Sequence, residues 1–281
     1  MSRILVVVGP EGGAGELASH LSASPALAGH EVEVRPGAIE ALRALRRRAY
    51  DVVVTDPGRA LRDDLALAEE IRQIRPGCRT ILLAPSAAPE EVIAAVRQHA
   101  FACFSAPFDY REIADMVATA VREERWRDGI EVVSATPHWI QLRVACRLLT
   151  AERLVHFMTE LRSDVPDDDR YLLMAAFREM LINAMEHGAG FDPEKVVEVT
   201  AARTRRTIVY HFRDPGPGFD PDDLAHAVAS TSPGDILAAT ERREDLGRRS
   251  GGFGMLLVKQ IVDELMYNER GNEVLMIKHL A

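Results

Sequence analysis

The sequence predicts an α/β fold built on a five-stranded parallel doubly wound sheet, followed by an α+β sandwich. In the first part of the chain, five short apolar runs alternate with helical patterns, which is typical of a parallel sheet covered on both faces. In the second part, amphipathic helices and strands favour a layer of helices on a mixed or antiparallel sheet. A charged helix end that runs into Gly129 separates the two parts. We therefore predict domains at 1–124 and 133–281, joined by a linker at 125–132.

The boundaries of the elements follow from the same patterns. The predicted strands of the first domain are 4–8, 31–35, 51–55, 80–84 and 102–105, and its last helix is 110–125. The second domain is predicted to have strands at 139–146, 196–201, 207–212 and 273–280, and helices at 151–162, from 167 onward and at 255–262. The acidic run 167–169 favours a helix start, because negative charge in a first turn interacts well with the helix dipole.

Composition excludes several functional classes. The 281 residues are 47% hydrophobic, enough for a sizeable core, and carry a net charge of −9. That charge argues against direct nucleic-acid binding, which needs clustered Lys and Arg. No apolar run approaches the ~18 residues of a membrane span. The three cysteines lack metal-ligand spacing, so a reducing cytoplasm is the expected setting.

The most informative helix carries Glu179, Asn183 and His187 at four-residue intervals. On a helix, this spacing places an acid, an amide and an imidazole along one face. The packed side is predicted to consist of Leu172, Leu173, Ala176, Met180 and Ala184. The polar row therefore needs a functional explanation.

Two sequence motifs downstream suggest a function for this polar row. The turn Asp214-Pro-Gly-Pro-Gly-Phe219 follows a strand pattern, and a carboxylate there can accept a hydrogen bond from a ligand. Gly251, Gly252 and Gly254 precede a helix pattern, where free amides and the positive end of the dipole suit an anion.

These motifs carry a family resemblance. The order ExxxNAxEHG, DPGPGF and GGFGMLLV resembles the GHKL ATPase superfamily, and the cadence is similar to the anti-sigma-factor serine kinases, over about residues 130–281. The resemblance implies an ATP-binding (Bergerat) sandwich that uses ATP and Mg²⁺. The segment 220–246 would then be an ATP lid that becomes ordered when nucleotide binds.

The resemblance also implies roles for individual residues. Asn183 would bind Mg²⁺, Glu179 would be the catalytic base and Asp214 would contact adenine. The nucleotide would further be contacted by Gly216, Gly218, Gly251, Gly252, Phe253 and Gly254. His187 could touch phosphate or hold the lid, or it could simply bond a terminal helix carbonyl before Gly188 at the C′ position. Arg248 and Arg249 could contact phosphate or be solvated lid residues.

The first domain resembles the receiver domain of response regulators, but its expected chemistry is degraded. Asp56 matches the phosphoacceptor position, whereas the metal-acid positions are Val8 and Gly9 and the lysine position is Ala106. Residues 1–194 contain no lysine at all, so a phosphoryl group on Asp56 would lack charge compensation. The sequence favours a loop-capping role for Asp56 and predicts a pseudo-receiver that serves regulation, docking or dimerisation.

Three functions remain open from the residues. The first is a serine/threonine kinase that phosphorylates an anti-anti-sigma partner and alternately sequesters a sigma factor. The second is a nucleotide-dependent partner switch that transfers no phosphate. The third, a histidine kinase acting on His156, is disfavoured because the chain between His156 and Asn183 has no room for a second dimerisation helix. A homodimer is compatible with all three.

Overall fold

The structure is a computed structural model, and it describes residues 1–9, 14–123, 127–162, 165–219 and 253–280. The chain forms two compact units, Met1–Asp128 and Gly129–Ala281. Their division falls between Asp128 and Gly129, within the predicted linker 125–132. Within the described part of the chain, no helix is both long enough and apolar enough to cross a membrane.

The N-terminal unit is a parallel sheet with helices on both faces. Its elements are β1 (Arg3–Val8), α1 (Ala14–Ala23), β2 (Glu31–Pro36), α2 (Gly37–Arg47), β3 (Val52–Thr55), α3 (Leu61–Ile74), β4 (Arg79–Ala84), α4 (Pro89–Arg97), β5 (Ala102–Ser105) and α5 (Tyr110–Arg122). The five strands lie in the order β2-β1-β3-β4-β5 and are all parallel. This is the doubly wound order shared by flavodoxin and receiver proteins, so the predicted fold class is confirmed for this half.

Burial explains why the apolar runs of this unit predict its strands. Residues 4–7, 52–54 and 81–83 are fully buried, as expected for central strands that helices cover on both faces. Helix α1 packs on α5, and α2, α3 and α4 pack in series. The loops at the carboxyl ends of these strands therefore form one edge of the sheet, where Asp56 lies.

The C-terminal unit is an antiparallel sheet with helices packed on it. Its elements are β6 (Ile130–Thr136), β7 (Trp139–Ala145), α6 (Leu148–Glu160), α7 (Asp167–Asn183), a π-helical turn (Ala184–Gly188), β8 (Val196–Arg203), β9 (Thr207–Arg213), α8 (Phe253–Ile261), β10 (Glu264–Tyr267) and β11 (Glu273–His279). The six strands lie in the order β10-β11-β9-β8-β7-β6. Every pair is antiparallel, which decides between the two predicted alternatives and confirms the α+β fold.

The sequence did not predict the two edge strands of this sheet. β6 buries only Ile130, and Val133 in its middle is 49% exposed. β10 has four residues, and its Met266 is 45% exposed. An edge strand has one neighbour and little burial, so its residues show a weak hydrophobic alternation.

Helix α7 is seated on β9 by aromatic packing. The ring of Phe177 lies 4.9 Å from the ring of Tyr210 and 5.1 Å from that of Phe212. Leu173, Ala176, Met180 and Ala184 are buried, as predicted. Leu172 is 44% exposed, so its predicted place in the core was wrong. The helical period carries the buried stripe through 173, 176, 177 and 180, and residue 172 falls at its edge.

We expect Phe177→Ala to lower the free energy of unfolding of the C-terminal unit by about 3–5 kcal/mol, because it removes a buried ring that joins α7 to β9. Urea denaturation of the full chain measures this. A Trp126→Phe background leaves Trp139 of β7 as the fluorescent reporter of this unit.

The control for this substitution is Tyr171→Ala on the same helix. Tyr171 is 77% exposed, so its loss should change the free energy of unfolding by no more than about 0.5 kcal/mol. Equal destabilisation by the two alanine substitutions would contradict the packing described for Phe177.

Candidate functional site

The last turn of α7 carries two of the candidate side chains. Glu179 and Asn183 lie one helical turn apart, so they share a face of the helix. Both residues are partly buried. The side chain of Glu179 is 29% exposed, and its Oε1 lies 3.9 Å from Nη1 of Arg178. This face therefore offers a carboxylate and an amide that solvent can reach.

The helix widens into a π-helical turn immediately after Asn183. The turn spans Ala184–Gly188, so the α-helical spacing does not continue from Asn183 to His187. His187 is exposed at its end. Such single π turns are frequent at functional sites.

Gly188 does not act as the left-handed residue that the sequence suggested. Positive φ occurs instead at Gly190 (67°) and Phe191 (53°), and the amide of Gly190 donates to the carbonyl of Glu186 at 3.0 Å. The expected C′ role of Gly188 was therefore wrong. A glycine is required at this position for another reason, which is its contact with Asp214, the residue that follows β9.

The carboxylate of Asp214 rests directly against Gly188. A Cβ on Gly188 would overlap the carboxyl atoms of Asp214, and one on Gly216 would lie 2.6 Å from the carbonyl oxygen of Gly188. The amide of Gly216 donates to Oδ1 of Asp214 at 2.8 Å. The end of the π turn and the end of β9 thus meet in a compact corner that two glycines make possible.

Asp214 keeps one carboxyl oxygen available in this corner. Among the described residues, no group donates a hydrogen bond to its Oδ2. Burial raises the pKa of Asp214 above the ordinary value, while the Gly216 amide and the Arg270 guanidinium act in the opposite direction. The corner therefore presents a partly desolvated acceptor, which makes hydrogen bonding there stronger than in water.

Glu179 meets the first turn of α8 at the other end of this surface. A Cβ on Gly254 would overlap Oε2 of Glu179 and lie 3.1 Å from its Cδ. Gly254 is the second residue of α8, where the helix amides are free and the dipole is positive. The glycine thus lets a carboxylate approach a helix N-terminus.

The structure therefore brings several candidate residues together. Glu179 lies on Gly254, and Asp214 lies on Gly188 and Gly216. Arg248, Arg249, Gly251, Gly252 and the segment 220–246 lie outside the described residues, as does the side chain of Phe253. Their roles stay predictions, as do those of Asn183 and His187.

The sequence missed one structural partner of the site. We call residues 214–219 the Asp214 loop and residues 268–272 the β10–β11 turn. Gly218 of the loop has φ +81°, and a Cβ there would overlap the carbonyl oxygen of Arg270 in the turn. The letters Asn-Glu-Arg-Gly-Asn predict a turn, but nothing in them signals a contact with a loop so distant in sequence.

The receiver-like unit buries Asp56 at the carboxyl edge of its sheet. Asp56 is 3% exposed, and its Oδ1 accepts a hydrogen bond from the amide of Gly58 at 2.8 Å. A Cβ on Gly9 would overlap the carbonyl oxygen of Gly58, so backbone fills the place of a metal-binding acid. Across the described ranges, no group of three or more His, Cys, Asp or Glu side chains suits a metal ion.

Comparison with known proteins assigns a class to the C-terminal half. A family model described as a histidine kinase-like ATPase domain matches residues 144–278. The match includes Glu179, Asn183, Asp214 and Gly254, and it implies that this half binds ATP. The subtype within this class is not fixed by the match.

Relatives and solved structures match the other half. Transcriptional regulatory protein GlrR of Escherichia coli strain K12 and transcriptional regulatory protein QseF of Escherichia coli O157:H7 are each 29% identical over 127 residues. The match covers 43% of this chain and only 28% of each relative.

Among solved structures, the non-phosphorylated HemR receiver domain from Leptospira biflexa is 23% identical with a TM-score of 0.38, covering 45% of this chain and 99% of that one. A signal receiver domain from Pseudomonas fluorescens Pf-5 is 24% identical with a TM-score of 0.37, covering 43% and 86%. Together, the strand order, the curated relatives and the family match give one conclusion. The chain combines a receiver-like N-terminal half with a histidine kinase-like ATPase domain in its C-terminal half.

Proposed function

We propose that this protein is an ATP-dependent serine/threonine protein kinase of the anti-sigma-factor type, which phosphorylates an anti-anti-sigma partner. The observation that carries the proposal is the arrangement of one helical segment between two glycine-lined contacts. Glu179 meets the start of α8, and Gly188 meets Asp214. These two contacts lie at opposite ends of the segment 179–188, which suits an elongated ligand with a base at one end and phosphates at the other.

The base end is the corner at Asp214. Its Oδ1 is already bound by the Gly216 amide, so Oδ2 is the oxygen that can accept a hydrogen bond from a ligand. An exocyclic amine can donate to it, whereas guanine presents a carbonyl at the equivalent position. The acceptor therefore favours adenine, and a mismatched carbonyl would leave a partly buried acceptor facing another acceptor.

The phosphate end is the first turn of α8. Free amides and the positive dipole end favour phosphate oxygens, and the absence of a side chain at Gly254 lets the carboxylate of Glu179 reach the same turn. Asn183 on the facing helix offers a neutral amide oxygen, a ligand type that suits Mg²⁺ in a shell completed by water and phosphate. ATP with Mg²⁺ would supply the transferable phosphoryl group and the cation that neutralises its charge.

Glu179 is the proposed general base. Its carboxylate lies beside the phosphate end, stays partly exposed, and has Arg178 at 3.9 Å. From that position it can orient the hydroxyl of a partner serine or threonine and take its proton.

Protein partners follow from the family resemblance. The proposed substrate is an anti-anti-sigma protein, the second partner is a sigma factor, and a homodimer is the proposed assembly. The receiver-like unit is proposed as a regulatory docking module without a phosphoacceptor, because Asp56 is buried and bonded to its own loop. Phosphorylation of His156 is disfavoured, since this residue is 8% exposed on α6.

A second candidate is a nucleotide-dependent partner switch without phosphoryl transfer. One observation favours it. Glu179 packs on Gly254 and pairs with Arg178, which is a structural role that a protein with no transferase activity would also need. The two candidates share every nucleotide contact and differ only in what Glu179 does.

We expect Glu179→Gln to slow phosphoryl transfer by at least about 100-fold, while nucleotide affinity stays within about threefold of the wild type. The amide keeps the shape of the carboxylate but cannot accept the proton, and loss of a general base lowers rates by about 10²–10⁴-fold. The assay incubates the full chain with radiolabelled ATP, Mg²⁺ and candidate anti-anti-sigma proteins, and measures label on partner serine or threonine.

The matched control is Glu186→Gln in the π-helical turn, which should transfer phosphate like the wild type. Label on a partner that survives in Glu179→Gln would reject Glu179 as the base. Tight ATP binding by the wild type, with no label on any partner, would favour the switch over the kinase.

We further expect Gly188→Ala to weaken adenine-nucleotide binding by about tenfold or more. The new methyl group would displace the Asp214 carboxylate, and misplacing a charged hydrogen-bond acceptor is costly. Isothermal titration of ADP into the full chain measures the effect.

Gly190→Ala is the control for backbone strain, because Gly190 also has a special conformation (φ +67°) but has no neighbouring atom within 4 Å of an added Cβ. It should lower stability and leave the affinity for ADP unchanged. Equal affinity losses in both variants would mean that the effect is not specific to the Asp214 corner.

A further inference from the structure

The Asp214 loop and the β10–β11 turn exchange hydrogen bonds at the end of β9. The amide of Asp214 donates to the carbonyl of Asn272 at 3.0 Å. In return, Nδ2 of Asn272 donates to the carbonyl of Asp214 at 3.2 Å. Both bonds involve the main chain of Asp214, so they fix the position of its side chain without using Oδ2 of the carboxylate.

Arg270 holds the next part of the same loop. Its Nε donates to the carbonyl of Pro217 at 3.1 Å, and its Nη2 donates to the carbonyl of Gly216 at 3.2 Å. A planar guanidinium binds two acceptors in a fixed relative geometry. The side chain is at the surface, so it braces the loop from the solvent side.

The two segments also touch through their backbones at paired glycines. Gly218 (φ +81°) lies against the carbonyl oxygen of Arg270, and Gly271 (φ +73°) lies against that of Phe219. A Cβ at either position would overlap the opposite chain, and each backbone conformation is one that glycine adopts without strain. The loop is therefore held at its start, middle and end.

The turn is itself ordered by one asparagine. Oδ1 of Asn268 accepts hydrogen bonds from the amides of Asn272 at 3.0 Å and Glu273 at 3.1 Å. Its Nδ2 donates to Oδ1 of Asn272 at 3.0 Å. Asn272 is 7% exposed, and both its Oδ1 and its Nδ2 form hydrogen bonds, to Asn268 and Asp214 respectively. It is thus fixed before any ligand arrives, which is the condition for a positioning group.

Tyr267, just before the turn, connects the end of the loop to α8. Its ring packs edge-on against Phe219 with the centroids 5.2 Å apart. Its hydroxyl donates to Sδ of Met255, in the first turn of α8, at 3.4 Å. Tyr267 therefore contacts both the Asp214 loop, at the proposed base end, and α8, at the proposed phosphate end.

We propose that the β10–β11 turn is a positioning element for adenine recognition, with Asn272 and Arg270 as its positioning residues. Neither side chain needs to touch the nucleotide. They hold the loop so that Oδ2 of Asp214 points at the exocyclic amine, since a small displacement of a hydrogen-bonding group is enough to lose its selectivity. This inference rests on the nucleotide binding in the proposed function and is independent of phosphoryl transfer.

The test compares Asn272→Asp with the wild type. Aspartate has the shape of asparagine, but it places a charged oxygen against the carbonyl of Asp214 where Nδ2 now donates. We expect the affinity for ADP to fall by about tenfold and the preference for ADP over GDP to fall with it. Isothermal titration of both nucleotides into the full chain measures the two quantities.

Two further variants make the result decisive. Arg270→Gln removes the two hydrogen bonds to the carbonyls of Pro217 and Gly216. Because Arg270 is exposed, this variant keeps the test valid in case Asn272→Asp fails to fold. We expect about a threefold loss of ADP affinity and a lower preference for ADP over GDP. Glu269→Gln changes an exposed side chain of the same turn and should bind both nucleotides like the wild type.

Different results overturn different claims. Wild-type affinity and wild-type base preference in a folded Asn272→Asp or in Arg270→Gln would overturn the positioning role and leave nucleotide binding intact. Equal losses for ADP and GDP would also overturn it, because a purely structural defect weakens both nucleotides alike. A wild-type protein that binds no adenine nucleotide would overturn the proposed function itself.

Discussion

The close approach of the end of α7 to the end of β9 is the constraint on which the candidate site depends. Phe177 seats α7 against the aromatic rings of β9, and the π-helical turn then carries the chain to Gly188, where the Asp214 carboxylate rests. With the helix fixed there, Glu179 is also fixed against the first turn of α8. Core packing thus sets the distance between two polar contacts, that of Glu179 with Gly254 and that of Asp214 with Gly188.

Glycines in this unit serve the protein's own packing before they serve a ligand. Gly188 and Gly216 leave room for the carboxylate of Asp214, and Gly218 and Gly271 let two loops touch through their backbones. A glycine-rich motif is often explained by close approach of a phosphate or a base. In the proposed function, the same residues would also hold the Asp214 carboxylate in place and so lower the cost of ordering when the nucleotide binds.

The sequence predicted much of the fold because the strongest signals come from fully buried strands. The predicted and observed strands of the N-terminal unit differ by one residue at most at either end. The shared face of Glu179 and Asn183 was also predictable, since helical spacing is local. The π-helical turn, the edge strands β6 and β10, and the contact of Asn272 with Asp214 were not. They depend on tertiary neighbours, and local patterns carry no information about a partner that is distant in the chain.

The two units also differ in the surroundings of their buried carboxylates. In the receiver-like unit, Nε of Arg59 lies 2.5 Å from Oδ1 of Asp64, with side chains 10% and 0% exposed, and burial raises the pKa of Asp64. Arg59 is therefore paired with a buried structural partner, and this pairing competes with compensation of the charge of a phosphoryl group. Asp214, in contrast, keeps an oxygen to which no described residue donates. A partly buried acceptor of this kind suits ligand recognition, and this is the role that the proposed function gives to the C-terminal unit.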